Sequence, residues 1–161
     1  MCSSTPSSGS IAMIGGWPRP PAHPFPVEAD MNDDPITSFR DEFKFLSNFY
    51  PSEIEGYHLL YPTVEHAYQA AKMPTHEQRA EIAAAPTPRD AKIMGRIAEA
   101  RRGFNERRCA IMRMLLQQKF APGTGLAEKL VATAPRELVE GNNWGDRFWG
   151  VFDGKGQNNL G

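Results

Sequence analysis

The segment TVEHAYQAAKM, residues 63–73, carries an acid, a phenol, an amide and an amine on what reads as one short helix. Glu65, Tyr68, Gln69 and Lys72 fall at i, i+3, i+4 and i+7, the spacing of one helical face, with Val64, Ala67 and Ala71 as an adjacent apolar stripe. One side packs and the other presents chemistry. Glu65 and Lys72 stand about 10.5 Å apart along such a helix, beyond the reach of an i, i+4 ion pair. A group placed between them would meet a carboxylate at one end and an amine at the other. The alternative is a solvated face whose charges serve solubility, and spacing alone does not separate the two.

A second concentration lies in LVEGNNWGDRFWGVFDGKGQNNLG, residues 138–161, where Glu140 and Asp146 stand among Trp144, Trp149, Asn142, Asn143, Asn158 and Asn159. Acids beside tryptophans and amides suit a site that stacks a flat base and holds a ribose. The same residues also suit a turn-rich cap with Trp149 in the core and the asparagines in tight turns. Arg101, Arg102, Arg107 and Arg108 are a basic concentration that would suit a phosphate, although helix-surface charge accounts for most such arginines. His23, His58, His66 and His76 lack metal-ligand spacing, and His66 reads as a packed or surface residue. No nucleophile elbow, phosphate loop or dinucleotide fingerprint is present.

The elements that must position these groups are well punctuated. Residues 1–35, with SSTPSSGS and GGWPRPPAHPFP, are dense in Pro, Ser and Gly without periodicity and are expected to form a disordered extension. Trp17 and the Pro18 to Pro26 cluster could serve as a polyproline ligand; an unstructured leader is the plainer reading. From residue 36, Ile36, Phe39, Phe43, Phe45, Phe49, Tyr57 and Leu59 predict short strands broken by Pro51 and Gly56, including a small antiparallel hairpin. Thr63 is placed as the N-cap of the first helix and Pro74 as its stop. Thr75 with Gln78 has capping-box spacing, and Thr87 followed by Pro88 opens another helix. In NERRCAIMRMLLQQKF, Cys109, Met112, Leu116 and Phe120, joined by Ile111 and Leu115, predict the central core helix. LAEKLVAT predicts a shorter helix, and ELVEG and DRFWGVF two strands. The sum is a helix-rich α+β domain with a few short antiparallel strands, not a regularly alternating parallel-sheet enzyme.

With 161 residues, 40% hydrophobic, the chain suits a single core. A formal net charge of -1 gives no field to gather duplex nucleic acid, which argues against general duplex binding and leaves a nucleotide-sized anion open. Cys2 and Cys109 suggest neither a disulfide framework nor a zinc site, and no bilayer-spanning run or secretory signal is present. A cytoplasmic protein is expected.

Taken in order, FLSNFYP (45–51), YPTVEHAYQAAK (61–72), TPRDAKIMGR (87–96), MLLQQKF (114–120), LVE (138–140), DRFWG (146–150) and GQNNLG (156–161) resemble the NADAR superfamily, also called the YbiA-like family. The resemblance covers residues 36–161 and implies a hydrolase of N-glycosidic bonds working without metal or organic cofactor. Two substrate classes are implied: ribosylamino-pyrimidine phosphates, intermediates of riboflavin biosynthesis, and ADP-ribose attached to guanine. The first is the preferred expectation. In both, the glycosidic nitrogen is an exocyclic amine, so the ribose can open to an imine that a lysine can capture. A noncatalytic module binding ADP-ribose or a related nucleotide is a third reading.

Carried onto this chain, the resemblance makes Lys72 the candidate nucleophile and Glu65 its proton shuttle. Alternatively Glu65 or Glu140 stabilises an oxocarbenium-like centre while a carboxylate activates water. Asp146 would orient a hydroxyl or a catalytic side chain. Arg40, Asn48, Phe49, Tyr68, Gln69, Phe104, Trp149 and Asn158 are the expected substrate-binding positions. Two departures are visible: Gly103 and Phe104 stand where the family usually has Asp-Trp, and the chain stops at Gly161 where family members commonly continue into a further helix. A weaker stacking platform and a shortened domain are the corresponding expectations.

Overall fold

A computed structural model of the chain describes residues 33–161. The expected Ser/Pro/Gly-rich extension, including Trp17 and its proline cluster, lies outside the described residues up to position 32. The described order is a 3-10 helix at Asp41–Leu46, strands β1 (Pro51–Gly56) and β2 (Leu59–Thr63), then helices α1 (Val64–Ala70), α2 (His76–Ala83), α3 (Pro88–Ile97), α4 (Phe104–Lys119) and α5 (Leu126–Val131). This is a helix-rich α+β fold with one two-stranded antiparallel sheet.

The hairpin pairs Ile54 with Tyr61 and Gly56 with Leu59, which turns both Ile54 and Tyr61 into the core. Its turn residues Tyr57 and His58 both have positive φ, 52° and 61°, the geometry that matches strand twist but that side chains resist. Arg79 stacks 4.3 Å from the Tyr57 ring centroid and Arg101 donates to the Tyr57 hydroxyl at 3.0 Å, so the unfavourable turn is clamped from outside. Tyr57, expected as a strand residue, is the turn itself.

The caps fall where the residue types require. Thr63 accepts the His66 amide to start α1, Thr75 and Gln78 form the reciprocal capping box of α2, and Thr87 accepts the Asp90 amide with Pro88 in the first turn of α3. Thr63 does more than cap. Its hydroxyl lies 2.8 Å from His66 Nδ1, whose Nε2 is 3.2 Å from the Ala85 carbonyl. That carbonyl can only accept, so Nε2 carries the proton and Thr63 donates to Nδ1. His66, 1% exposed, is therefore a packing bracket between α1 and the end of α2.

Helix α1 occupies the centre, with every residue buried and with α2, α3, α4 and both strands packed on it. The expectation that α4 would be central is corrected on this point. Seven residues can be enclosed on all sides by their neighbours, whereas sixteen must leave one face in water. The buried stripe of α4 is Phe104, Ile111, Met112, Leu115 and Lys119, while Cys109 is exposed and Leu116 and Phe120 are only half-buried.

Three strand expectations also fail. DEFKFL forms a 3-10 helix that buries the adjacent Phe45 and Leu46, not an alternating strand. ELVEG and DRFWGVF form only isolated bridges, Ile36 with Leu138, Gly141 with Val151 and Phe152 with Lys155. Side chains have taken the strand partners' places there: Asn158 bonds the Glu140 amide and the Leu138 carbonyl, Asn142 bonds the Val151 carbonyl, and Asp146 accepts from the Phe148 and Trp149 amides.

Replacing Thr63 by Ala should lower unfolding free energy by about 1–2 kcal/mol, since it removes a helix cap and strands the buried His66 Nδ1. Urea denaturation of the two proteins would check this, and an unchanged midpoint would disprove the bracket role.

Candidate active site

Helix α1 lays its polar face against a cavity of about 930 Å³. Glu65, Tyr68, Gln69 and Lys72 all line it. They are not a solvated face: Glu65 is 6% exposed, Gln69 4% and Tyr68 6%. Gln69 donates to Glu65 Oε1 at 2.6 Å, which fixes the carboxylate. Helix α3 crosses so closely that a Cβ on Gly95 would collide with the Gln69 amide. Lys72 Nζ points to the Gly95 carbonyl at 3.4 Å and lies 5.5 Å from the Tyr68 ring centroid and 5.8 Å from that of Phe104.

Burial pushes the Lys72 amine down from its ordinary range, Glu65 opposes this, and Lys92 and Arg96 add to it. A lysine that loses its proton more readily is a better nucleophile. Burial also pushes the Tyr68 phenol up to about 12, so it stays protonated and can only serve as a neutral hydroxyl. Its ring meets Phe104 and Trp149 edge to face at 5.5 and 5.6 Å, a three-ring wall beside the amine.

Three other segments close the cavity. The loop after the 3-10 helix brings Asn48 and Phe49, and the Asn48 carbonyl accepts the Glu65 amide at 3.0 Å. The C-terminal segment brings Glu140, Asp146 and Trp149. Burial raises the Glu140 carboxyl to about 7, with Asp146 adding to the rise and Lys92 and Lys119 opposing it. Buried oxygens of Asn48, Gln69 and Glu140 in this wall have no hydrogen-bond partner among the described residues. Unpaired buried acceptors are costly, and a bound ligand is the natural recipient. Arg40, immediately before the 3-10 helix, lines the cavity as well.

Every expected site residue therefore reaches this one cavity except Asn158. Asn158 instead stands behind it, accepting the Glu140 amide at 3.0 Å and donating to the Leu138 carbonyl at 2.9 Å. Its side chain thus braces the backbone on both sides of Val139 and positions Glu140. Phe104 lines the cavity but is 4% exposed, a packed edge more than an open platform. Gly103 before it takes φ 75°, a left-handed cap that a larger residue would resist.

Sequence reasoning missed two features. Arg89, Lys92 and Arg96 all line the cavity from α3. Their i, i+3, i+7 spacing was a readable signal, overshadowed by the denser arginines near 101–108, of which only Arg108 reaches the cavity. Lys119 is the other. It is 1% exposed, donates to the Leu46 and Ser47 carbonyls at 3.3 and 2.7 Å, and so anchors the loop that carries Asn48. Burial depresses it to about 7, with Glu140 pulling the other way. Nothing in the helical pattern marks it.

A model of the NADAR domain matches residues 36–161. The chain belongs to the NADAR family. It is 36% identical over 129 residues to the N-glycosidase YbiA of Escherichia coli, covering 77% of this chain and 79% of that one. An N-glycosidase of Nostoc punctiforme is 37% identical over 122 residues, covering 72% and 78%. A riboflavin biosynthesis protein of Vibrio vulnificus is 32% identical over 142 residues; the match takes in 85% of this chain but only 38% of that protein's length. The solution structure of E. coli YbiA superposes with a TM-score of 0.66 at 32% identity, covering 84% of this chain and 86% of that one. The NADAR fold thus places the α1 face, the α3 cations and the C-terminal acids around one cavity in this chain.

Lys119 supplies a test of the electrostatics. A lysine depressed to about 7 in the fold contributes stability that is complete above the unfolded value of 10.5 and is lost as pH falls towards 7. Wild-type protein should gain stability between pH 7 and 9.5, and Lys119→Met should gain less by about 1 kcal/mol or more. Equal gains in urea titrations at the two pH values would rule out a buried, charge-penalised Lys119.

Proposed function

We propose that the protein is an N-glycoside hydrolase that releases an exocyclic amine from a phosphorylated ribose, with residues 36–161 as its catalytic domain in a cytoplasmic setting. The observation that carries this reading is the Lys72 amine, depressed by burial beside an aromatic wall and facing the buried Glu65 across one helix surface. The named activity of the YbiA relatives supports the same reaction class.

In the reaction, the ribose ring opens by cleavage of its C1–O bond, leaving an iminium between C1 and the exocyclic nitrogen. Neutral Lys72 adds to C1. A proton passes to the leaving nitrogen, the C1–N bond to the base breaks, and the base departs as its amine. The remaining imine between Lys72 and C1 takes up water, which frees the ribose and restores the lysine. Glu65 stabilises the positive charge that travels through these steps, and Gln69 holds it in place. Glu140, raised to about 7, can hold a proton near neutrality and give it to the departing nitrogen. Asp146 is committed to the Phe148 and Trp149 amides and orients the Trp149 loop. Arg40, Arg89, Lys92, Arg96 and Arg108 supply charge for phosphate.

Ribosylamino-pyrimidine phosphates are the first substrate choice, in line with the riboflavin biosynthesis name of the Vibrio relative. A second reading, removal of ADP-ribose from guanine, is favoured by the cavity's size and by the spread of cations along α3.

Mass spectrometry of protein incubated separately with a ribosylamino-pyrimidine phosphate and an ADP-ribosylated guanine oligonucleotide should detect free base or free ADP-ribose from at least one. Lys72→Ala should lower turnover by about a thousandfold or more, and Glu65→Gln by about a hundredfold. Borohydride added during turnover should fix a ribose adduct on Lys72, and rapid turnover without any adduct would rule out the imine route.

The pH profile follows from Glu140. Its acid form is available below about 7 and is lost as pH rises, so kcat/KM should fall towards tenfold per unit above that point. In Glu140→Gln the fall should vanish along with most of the activity; a wild-type rate still rising to pH 9 would remove Glu140 as the donor.

A further inference from the structure

Lys72 lies past the regular part of α1, which ends at Ala70. Its amide and that of Met73 take tighter bonds to the Gln69 and Ala70 carbonyls, at 3.0 and 2.9 Å, and the carbonyls that follow must find partners outside the helix. Two arginines supply them. The Arg101 amide donates to the Lys72 carbonyl at 2.8 Å, and the Arg79 guanidinium donates to the Met73 carbonyl at 2.7 Å and to the Pro74 carbonyl at 3.3 Å.

Both arginines meet on one ring. Arg79 lies 4.3 Å and Arg101 5.7 Å from the Tyr57 ring centroid, and the Arg101 guanidinium also donates to the Tyr57 hydroxyl at 3.0 Å. The hairpin holds Tyr57 at a φ of 52°, which suits Gly or Asn better than an aromatic residue. Each guanidinium also keeps a buried Nε with no partner among the described residues. A strained turn and two under-satisfied cations are costly as architecture alone, and such costs gather where a group must be held in one place.

Tyr57, Arg79 and Arg101 are absent from the cavity wall. What they hold is the chain end that carries the amine. The far end of Lys72 is set separately, with Nζ aimed at the Gly95 carbonyl at 3.4 Å. Backbone and amine are thus fixed from opposite sides.

We propose that Tyr57 is a positioning residue for Lys72: its ring seats Arg79 and Arg101, which hold the Lys72, Met73 and Pro74 carbonyls and so fix where the amine stands in the cavity. This rests on Lys72 being the nucleophile of the proposed function. It also gives Arg101, one of the clustered arginines near 101–108, a task remote from phosphate.

The test uses the full chain with ribose 5-phosphate and cyanoborohydride. The open-chain aldehyde of the sugar condenses with an amine, loses water, and is fixed as a secondary amine by hydride. Peptide mass spectrometry then gives labelling of Lys72 relative to the exposed Lys129. Wild-type protein should label Lys72 at least about fivefold faster than Lys129. Tyr57→Asn tolerates the turn but removes the ring, and Arg101→Met removes the bond to the hydroxyl; each should lower that ratio about tenfold. Tyr57→Phe keeps the seat for Arg79 and should lower it only about threefold. In Tyr57→Asn and Arg101→Met the residue-101 amide should exchange with deuterium at least about tenfold faster than in wild type.

A labelling ratio or an amide exchange rate unchanged in either variant would overturn the clamp. Arg101→Met leaves the hairpin sequence intact and decides the matter if Tyr57→Asn fails to fold. Equal labelling of Lys72 and Lys129 in wild type would instead defeat Lys72 as the nucleophile. The residue-101 amide then decides the clamp by itself, faster exchange upholding it and unchanged exchange overturning it.

Discussion

The structure depends on taking a polar helix out of water. Burying the whole of α1 removes Glu65, Gln69 and His66 from solvent along with Val64 and Ala67, and each polar group then needs a partner with good geometry. The chain supplies them locally and from afar. Gln69 pairs with Glu65, His66 is bracketed by Thr63 and Ala85, and the Glu65 amide is taken by Asn48. Where the supply stops, at oxygens of Asn48, Gln69 and Glu140 that have no partner among the described residues, the cavity begins. The site is the part of the polar interior that the fold leaves unpaired.

The same desolvation sets the chemistry. Two helical turns beyond Glu65, Lys72 loses part of its solvation and with it part of its hold on a proton. Across the cavity the identical cause acts on a carboxyl with the opposite sign, raising Glu140 to about 7. Burial thus makes the amine easier to deprotonate and the acid harder to ionise, with neighbouring charges adjusting each. Lys119 links this electrostatics to the architecture, since the ammonium that opposes the rise of Glu140 also holds the Leu46 and Ser47 carbonyls. Loop position and proton affinity are coupled through one buried side chain.

Much of this arrangement was legible before folding because it is local. Caps at Thr63, Thr75 and Thr87 are read within four residues, and the shared face of Glu65, Tyr68, Gln69 and Lys72 follows from the helical repeat. The ordered blocks of the NADAR resemblance brought Glu140, Asp146 and Trp149 to the same site by analogy, and the cavity contains them. The failures were of long-range origin. ELVEG and DRFWGVF have strand-like composition, yet Asn142, Asn158 and the segment's own Asp146 satisfy their backbone groups. In DEFKFL the alternation of phenylalanines suggested a strand, but adjacent Phe45 and Leu46 share the core and wind the segment into a 3-10 helix.

By itself, then, the sequence determined where helices start, which residues of α1 share a face, and which acids and aromatics keep company at the C-terminal end, since each is set by neighbours along the chain. Tertiary structure alone decided that the polar face of α1 is buried and not solvated, because burial depends on α3 closing over Gly95. It decided that Asn158 braces Glu140 from behind, that Lys119 anchors a loop 72 residues away, and that Arg89, Lys92 and Arg96 share a cavity with Lys72. Those outcomes are distances between segments remote in sequence, and no periodicity encodes them.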